Sequence, residues 1–251
     1  MPKRLVAIAI AAYLLFLIIR LPANLLLPLV STQVTDLKLN GVEGTLWRGR
    51  ASSVFYDNIY AGELEWEARP LRLLLGQWSA AVQLDGPINA RADIGYALTG
   101  QINVSNATID GNLSAVSRYL PQTSVMALQG ELSGLIESLV VQQGGLLEIE
   151  GTFTLGNLAA GDLSLGDFNA EAATSDDDTK RLVFQSVGRE GLDAEGELSL
   201  DQQDKITLDL LVRNPGHLGD LSGLFRKFSS EEPDGNRLQW SGDLALLKRF
   251  L

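Results

Sequence analysis

"ELEWEARP", residues 63–70, alternates without a break. Leu64, Trp66 and Ala68 fall on one side of an extended chain, and Glu63, Glu65 and Glu67 on the other. Successive strand side chains point to opposite faces. The spacing therefore predicts an antiparallel strand that covers a core on one side and is wet on the other. The same period recurs in "INARADI" (88–94), "GTFTL" (151–155), "LVFQSV" (182–187), "GELSL" (196–200) and "KITLDLLV" (205–212). Turn signals separate such runs: "YDNI" (56–59), "LDGP" (84–87), "QQGG" (142–145) and "SDDDTK" (175–180). A phrase of Gly, a polar residue, then Leu or Phe returns at irregular intervals, which reads as one meander of strands entered through glycine.

Two stretches leave the strand pattern. "GNLSAVSRYLPQ" (111–122) predicts a short helix ended by Pro121. "NPGHLGDLSGLFRKFSS" (214–230) places Leu218, Leu221, Leu224, Phe225 and Phe228 at helical spacing. Each is expected to plug an open end or one face of the sheet. "RPLRLLLGQW" (69–78) reads either as a helical turn or as a buried crossover. Many strands with few helices must close, stack or curl to bury their apolar face. A curved half-barrel, a closed barrel and a sandwich all satisfy that demand.

At the other end of the chain, Leu5 to Ile19 carries no charged side chain, Lys3 and Arg4 precede it, and Arg20 follows. The run is a little short of the roughly 20 residues that span a bilayer. Arg20 can snorkel, and Leu21–Ala23 extend the span. The positive-inside rule puts the tip in the cytoplasm. A cleaved signal peptide is the rival reading, but "RLPANLLLP" lacks the small-residue pattern of a cleavage site. Pro22 and Pro28 stop or kink any continuing helix. The expected organisation is a cytoplasmic tip (1–4), a transmembrane anchor (5–23), a stalk and lead-in (24–40) and a periplasmic β-rich domain (41–251). The expected fold class is mainly β: one N-terminal transmembrane helix, then a long antiparallel sheet, curved or half-barrel-like, with one or two short helices.

The charge is uneven. Of 251 residues, 31 are acidic and 20 are Lys or Arg, and no acid lies within residues 1–30. So acidic a body is a poor ligand for nucleic acid. It should also be repelled by anionic lipid headgroups. Cysteine is absent, which excludes disulfides, thiolate metal sites and cysteine nucleophiles. The single histidine, His217, with Asp220 nearby in sequence, has no identifiable nucleophile to serve and reads as part of a helix start. Asp176, Asp177 and Asp178 lack the alternation of a calcium loop and read as a charged hairpin tip. Sequons begin at Asn103, Asn106 and Asn112, on what looks like a wet strand face. Trp47, Trp66, Trp78 and Trp240 each have a glycine within four residues, which suits core packing beside relieved crowding better than a sugar or lipid platform. No nucleophile elbow, P-loop or dinucleotide fingerprint occurs. Catalytic, metal and cofactor sites are expected to be absent.

"GVEGTLWRGRASS" (41–53) is read as the opening strand of the sheet. Regular alternation sends Leu46 and Trp47 to opposite faces and puts Arg48 and Arg50 beside Leu46. A bulge or bend at Gly49 would relieve that clash.

Taken in order, the basic tip, the anchor, the stalk, "GTLWRGRA" (44–51) and "WEARPLRLLLG" (66–76) resemble the type II secretion system protein N family. The second phrase is more distantly similar to AsmA-like envelope proteins. The resemblance implies an inner-membrane protein with a periplasmic body that assists export of folded proteins across the outer membrane, through other secretion components of unspecified identity. It implies no catalytic residues. The alternative function is a carrier or shield for lipid or another apolar ligand in an AsmA-like groove.

Overall fold

The computed structural model describes residues 36–243 apart from 58, 71, 73–75, 98, 118–127, 143–144 and 189–190, together with residues 19–25 and positions 5, 6, 13, 16 and 17. The chain falls into two compact units, residues 1–102 and 103–251.

In the first unit, β1 (Leu37–Gly44), β2 (Arg48–Tyr56), β3 (Ile59–Ala68), β4 (Gln77–Asp85) and β5 (Ile88–Ala97) lie side by side in chain order. Each pairs antiparallel with the next. The alternation in 63–70 is realised: Trp66 and Ala68 are buried, Leu64 is half-buried, and the three glutamates are exposed. Ala51, Val54 and Ala80 join them in the covered cluster, with Leu39, Trp47, Trp78 and Val82 packed around it. Several buried members are alanines, which lets neighbouring strands and loops approach closely.

The second unit continues the meander with β6 (Gln101–Asn112), β7 (Leu128–Gln142), β8 (Gly145–Ala160), β9 (Leu163–Thr174), β10 (Lys180–Val187), β11 (Ala194–Leu200), β12 (Lys205–Val212), β13 (Ser230–Glu232) and β14 (Gly235–Asp243). Spatial order again follows chain order, except that β14 sits between β12 and the three-residue β13. The four turn signals all fall between strands. The fold is thus mainly β and antiparallel, as expected, and among the described residues the sheet is open, a point on which the sequence did not choose. It does not take the closed-barrel or two-layer form that the sequence also allowed.

Both predicted helical stretches contain helix. The first is α1 (Leu113–Ser117), whose start is tied by Asn112 Oδ1 accepting the Ser114 N–H at 2.9 Å; Pro121 lies outside the described residues. The second is a 3₁₀ turn (Pro215–Leu221) followed by α2 (Ser222–Phe228), with a kink at Gly219 where φ is 55° and ψ −129°. That kink breaks the helical period. Phe225 packs on the sheet, whereas Leu221 is 37% and Phe228 71% exposed.

The whole tip (1–4), anchor residues 7–12, 14, 15 and 18, and residues 71 and 73–75 of "RPLRLLLGQW" lie outside the described residues; within 69–78 the Arg72 N–H donates to the Arg69 carbonyl at 3.2 Å, a turn between β3 and β4. No helix among the described residues is long and apolar enough to cross a membrane.

Candidate functional site

The second unit's sheet keeps one apolar face only thinly covered. Register places its side chains in rows across the strands. One row runs Leu132, Leu155, Phe168. The next runs Gly134, Phe153, Ala170, Phe184, Gly196, Leu210. A third runs Ile136, Gly151, Ala172, Leu182, Leu198, Leu208, Trp240. Large buried side chains are scarce among the described residues here: Phe168, Ile206 and Val212, of which only Val212 is fully covered. Phe225 of α2 caps the end of the face at Phe168, Ala194 and Val212. Beyond the cap lies an open trough of about 490 Å3, lined by Leu132, Ile149, Phe153, Leu182, Leu198, Leu200 and Ile206 among others. Lys180 stands at its mouth, its Nζ donating to the Asp178 carbonyl at 2.6 Å. Arg181 and Ser199 belong by alternation to the other face, where Arg181 meets Glu197 at 3.8 Å.

Rings on this face lie over glycines. Phe153 is paired directly with Gly134 and Phe184 with Gly196, and in the first unit Trp66 is paired with Gly49. A Cβ added at Gly134 would stand 2.6 Å from Phe153 Cδ1, and one at Gly196 2.5 Å from Phe184 Cζ. The aromatic ring occupies the place of the missing side chain on the next strand. The hollow between rings is therefore a product of the glycine positions. Expected packing of tryptophan beside glycine holds for Trp66, but its glycine is the cross-strand Gly49. Trp47 and Trp78 also pack on the first cluster, while Trp240 is 43% exposed.

The wet face is laced with charge pairs. Arg237 Nε donates to Asp209 Oδ1 at 2.7 Å, and Gln239 Nε2 donates to Asp209 Oδ2 at 2.9 Å. The Arg237 hydrogen bond, assisted by Gln239, holds the Asp209 carboxyl below the usual carboxylate range. Arg213 meets Glu195 at 2.7 Å and Asp193 at 3.1 Å.

The segment 41–53 corrects the sequence reading. It is a hairpin, not one strand. β1 already starts at Leu37, the chain reverses through Thr45–Trp47, and β2 starts at Arg48. Gly44, at φ 94°, makes the reversal possible, because a Cβ there would stand 2.5 Å from the Arg48 carbonyl oxygen. Gly49 carries no bulge; the register shifts of β2 against β3 lie between Ala51 and Val54 and between Val54 and Phe55. Arg48 and Arg50 are exposed, and Arg50 pairs with Glu43 at 2.8 Å. Trp47 turns to the covered cluster. The hairpin turn also gathers distant backbone: the Leu46 N–H donates to the Leu21 carbonyl at 2.8 Å, the Ala68 N–H donates to the Trp47 carbonyl at 2.6 Å, and Pro22 bridges Thr45. Ala23, 1% exposed, is buried in the cluster beside them.

Other polar candidates stay apart. His217 is exposed in the 3₁₀ turn, and its N–H donates to the Asn214 carbonyl. Asp176–Asp178 form the β9–β10 tip, where Ser175 Oγ donates to Asp177 at 2.7 Å and lowers its carboxyl pKa. No group of three or more His, Asp or Glu among the described residues is placed to hold a metal ion.

Comparison with known proteins follows the same outline. A family model described as type II secretion system (T2SS), protein N, matches residues 35–238. The type II secretion system protein N of Vibrio cholerae serotype O1 (strain ATCC 39315 / El Tor Inaba N16961) is 33% identical over 88 residues, 33% of this chain and 34% of that one. The chain therefore spans about a third of that relative's length in the alignment. No solved structure matches.

Proposed function

The chain belongs to the type II secretion system protein N family, and from that membership we propose that it is an accessory, non-enzymatic component of a type II secretion machine. It is held in the inner membrane by residues 5–23, with residues 1–4 cytoplasmic, 24–40 as lead-in and 41–251 in the periplasm. It supports export of folded proteins across the outer membrane by contact with other secretion components. The observation that carries this reading is the family match, which runs from the start of β1 to within β14. The structure is compatible with a positional role: strand edges can pair with a partner strand, and the charge-laced wet face favours specific rather than indiscriminate contact. A clean deletion of the gene should leave exported proteins in the periplasm, and the full chain supplied in trans should restore them to the medium. Undiminished secretion in the deletion strain would refute the role.

The trough favours a second reading, in which the second unit shields a lipid or other apolar ligand. An apolar hollow open to water is costly when empty. Mass spectrometry of the purified full chain should then show co-purifying lipid, and its absence would reject this reading.

A further inference from the structure

The first unit is electrically polar along its strands, and its basic end is the end tied to the hydrophobic segment. Where Leu21, Trp47 and Ala68 meet, the chain presents Arg20, Arg48, Arg69 and Arg72, all exposed. Arg20 precedes Leu21, Arg48 opens β2, and Arg69 and Arg72 follow the last residue of β3. Arg69 is fixed there by its N–H to the Ser79 carbonyl at 2.7 Å, and the Arg72 N–H donates to the Arg69 carbonyl at 3.2 Å. Glu67, the cross-strand partner of Arg48, and Asp93, which takes the Arg69 guanidinium at 2.8 Å, oppose them, and one step further along the strands Arg50 is held by Glu43 at 2.8 Å with Glu65 across from it. The opposite end of the same strands carries Asp36, Asp57 and Asp85 at its start and turns, with Lys38 and Arg91 a little further along β1 and β5. In a protein of net charge −11, cations gather at one end of one unit.

We propose that this basic end is a bilayer-facing surface that takes the anionic lipid headgroups around the chain's own hydrophobic segment. The inference rests on the membrane anchoring proposed above. Two observations carry it. Charge is complementary, since each Arg near an anionic leaflet is attracted within a Debye length. The surface is also continuous with the segment it would flank: only Leu21 and Pro22 separate Arg20 from buried Ala23, so the sheet is docked within three residues of the run's end. The body is then set down on its basic end and points its acidic end away. Overall acidity, which predicts repulsion from such a surface, is overridden locally by placement.

The test uses the full chain, which has no cysteine of its own. Single-cysteine variants Gln77→Cys, at the basic end of β4, and Tyr56→Cys, at the opposite end of β2, receive a fluorophore. Each is reconstituted into nanodiscs of phosphatidylcholine with or without phosphatidylglycerol, doped with a lipid whose headgroup carries a nitroxide quencher. The Gln77 label should be quenched at least about threefold more in the anionic discs, and the Tyr56 label not. Arg48→Glu with Arg72→Glu, or high salt, should abolish the difference. Protein that co-elutes with anionic discs while its Gln77 label stays unquenched, or is quenched equally with the charge-reversed pair, overturns the surface and leaves the anchor standing. Protein that fails to co-elute with any disc overturns both.

Discussion

Replacing Gly134 with alanine should destabilise the second unit, and the sign should reverse when Phe153 is shortened. Gly134 does not have positive φ, so alanine meets no backbone strain. Its Cβ would stand 2.6 Å from Phe153 Cδ1 and 3.1 Å from Cε1, against an ordinary 3.4 Å from the Thr152 carbonyl oxygen. Carbon atoms rest at about 3.5–4.0 Å, so the ring must retreat by about 1 Å. Overpacking of this kind costs about 1–3 kcal/mol, and Phe153 borders the open trough, so about 2 kcal/mol is expected. Alanine returns about 0.4–1 kcal/mol by restricting the unfolded chain. The net loss is about 1–1.5 kcal/mol. In a Phe153→Leu background the collision is gone and only the entropic gain remains, so Gly134→Ala should stabilise by about 0.5 kcal/mol. Hydrogen exchange of the full chain, read by mass spectrometry on peptides covering 128–142 and 145–160, measures local opening without assuming that the two units unfold together. Equal effects of Gly134→Ala in both backgrounds would show that the ring does not rest on the glycine.

Three further outcomes follow from the geometry. Asp209 has a depressed folded pKa, so its contribution is present above the unfolded value near pH 4 and is lost as pH falls through the folded value. Urea midpoints should drop on acidification through that window, and Asp209→Asn should flatten the drop. Pro22→Cys with Thr45→Cys should form a disulfide on mild oxidation, since bridge partners hold their Cα atoms within disulfide range; a mass shift detects it, and its failure to form would mean that Leu21–Leu25 is not docked. Phe225→Ala should cost about 2 kcal/mol, near half the loss for a fully buried phenylalanine, and raise binding of an apolar dye to the uncapped face. Unchanged dye binding would show that Phe225 does not cap it.

Period-two alternation was enough to find the strands around Trp66 and Ile206, because one face is covered and the other wet. It was not enough for 41–53. The turn there is built of Thr45, Leu46 and Trp47, none of them a strong turn former, and its one signal was Gly44. The helical period in 214–230 was real but interrupted at Gly219, whose left-handed φ leaves no mark in apolar spacing. The trough depends on which glycine faces which ring. Gly134 and Phe153 are nineteen positions apart, and only register brings them together. The basic end of the first unit is likewise a matter of placement: its four arginines come from three separate stretches of an acidic chain.

The meander has a kinetic consequence. Nearly every strand pairs with its neighbour in sequence, and only β14 must bypass β13 to reach β12. Relative contact order is therefore low for an all-β chain, and loop closure costs little at each step. A chain that emerges N-terminus first can add one hairpin arm at a time to a growing edge. Such a body can be built as the chain emerges, without waiting for its last strand to appear.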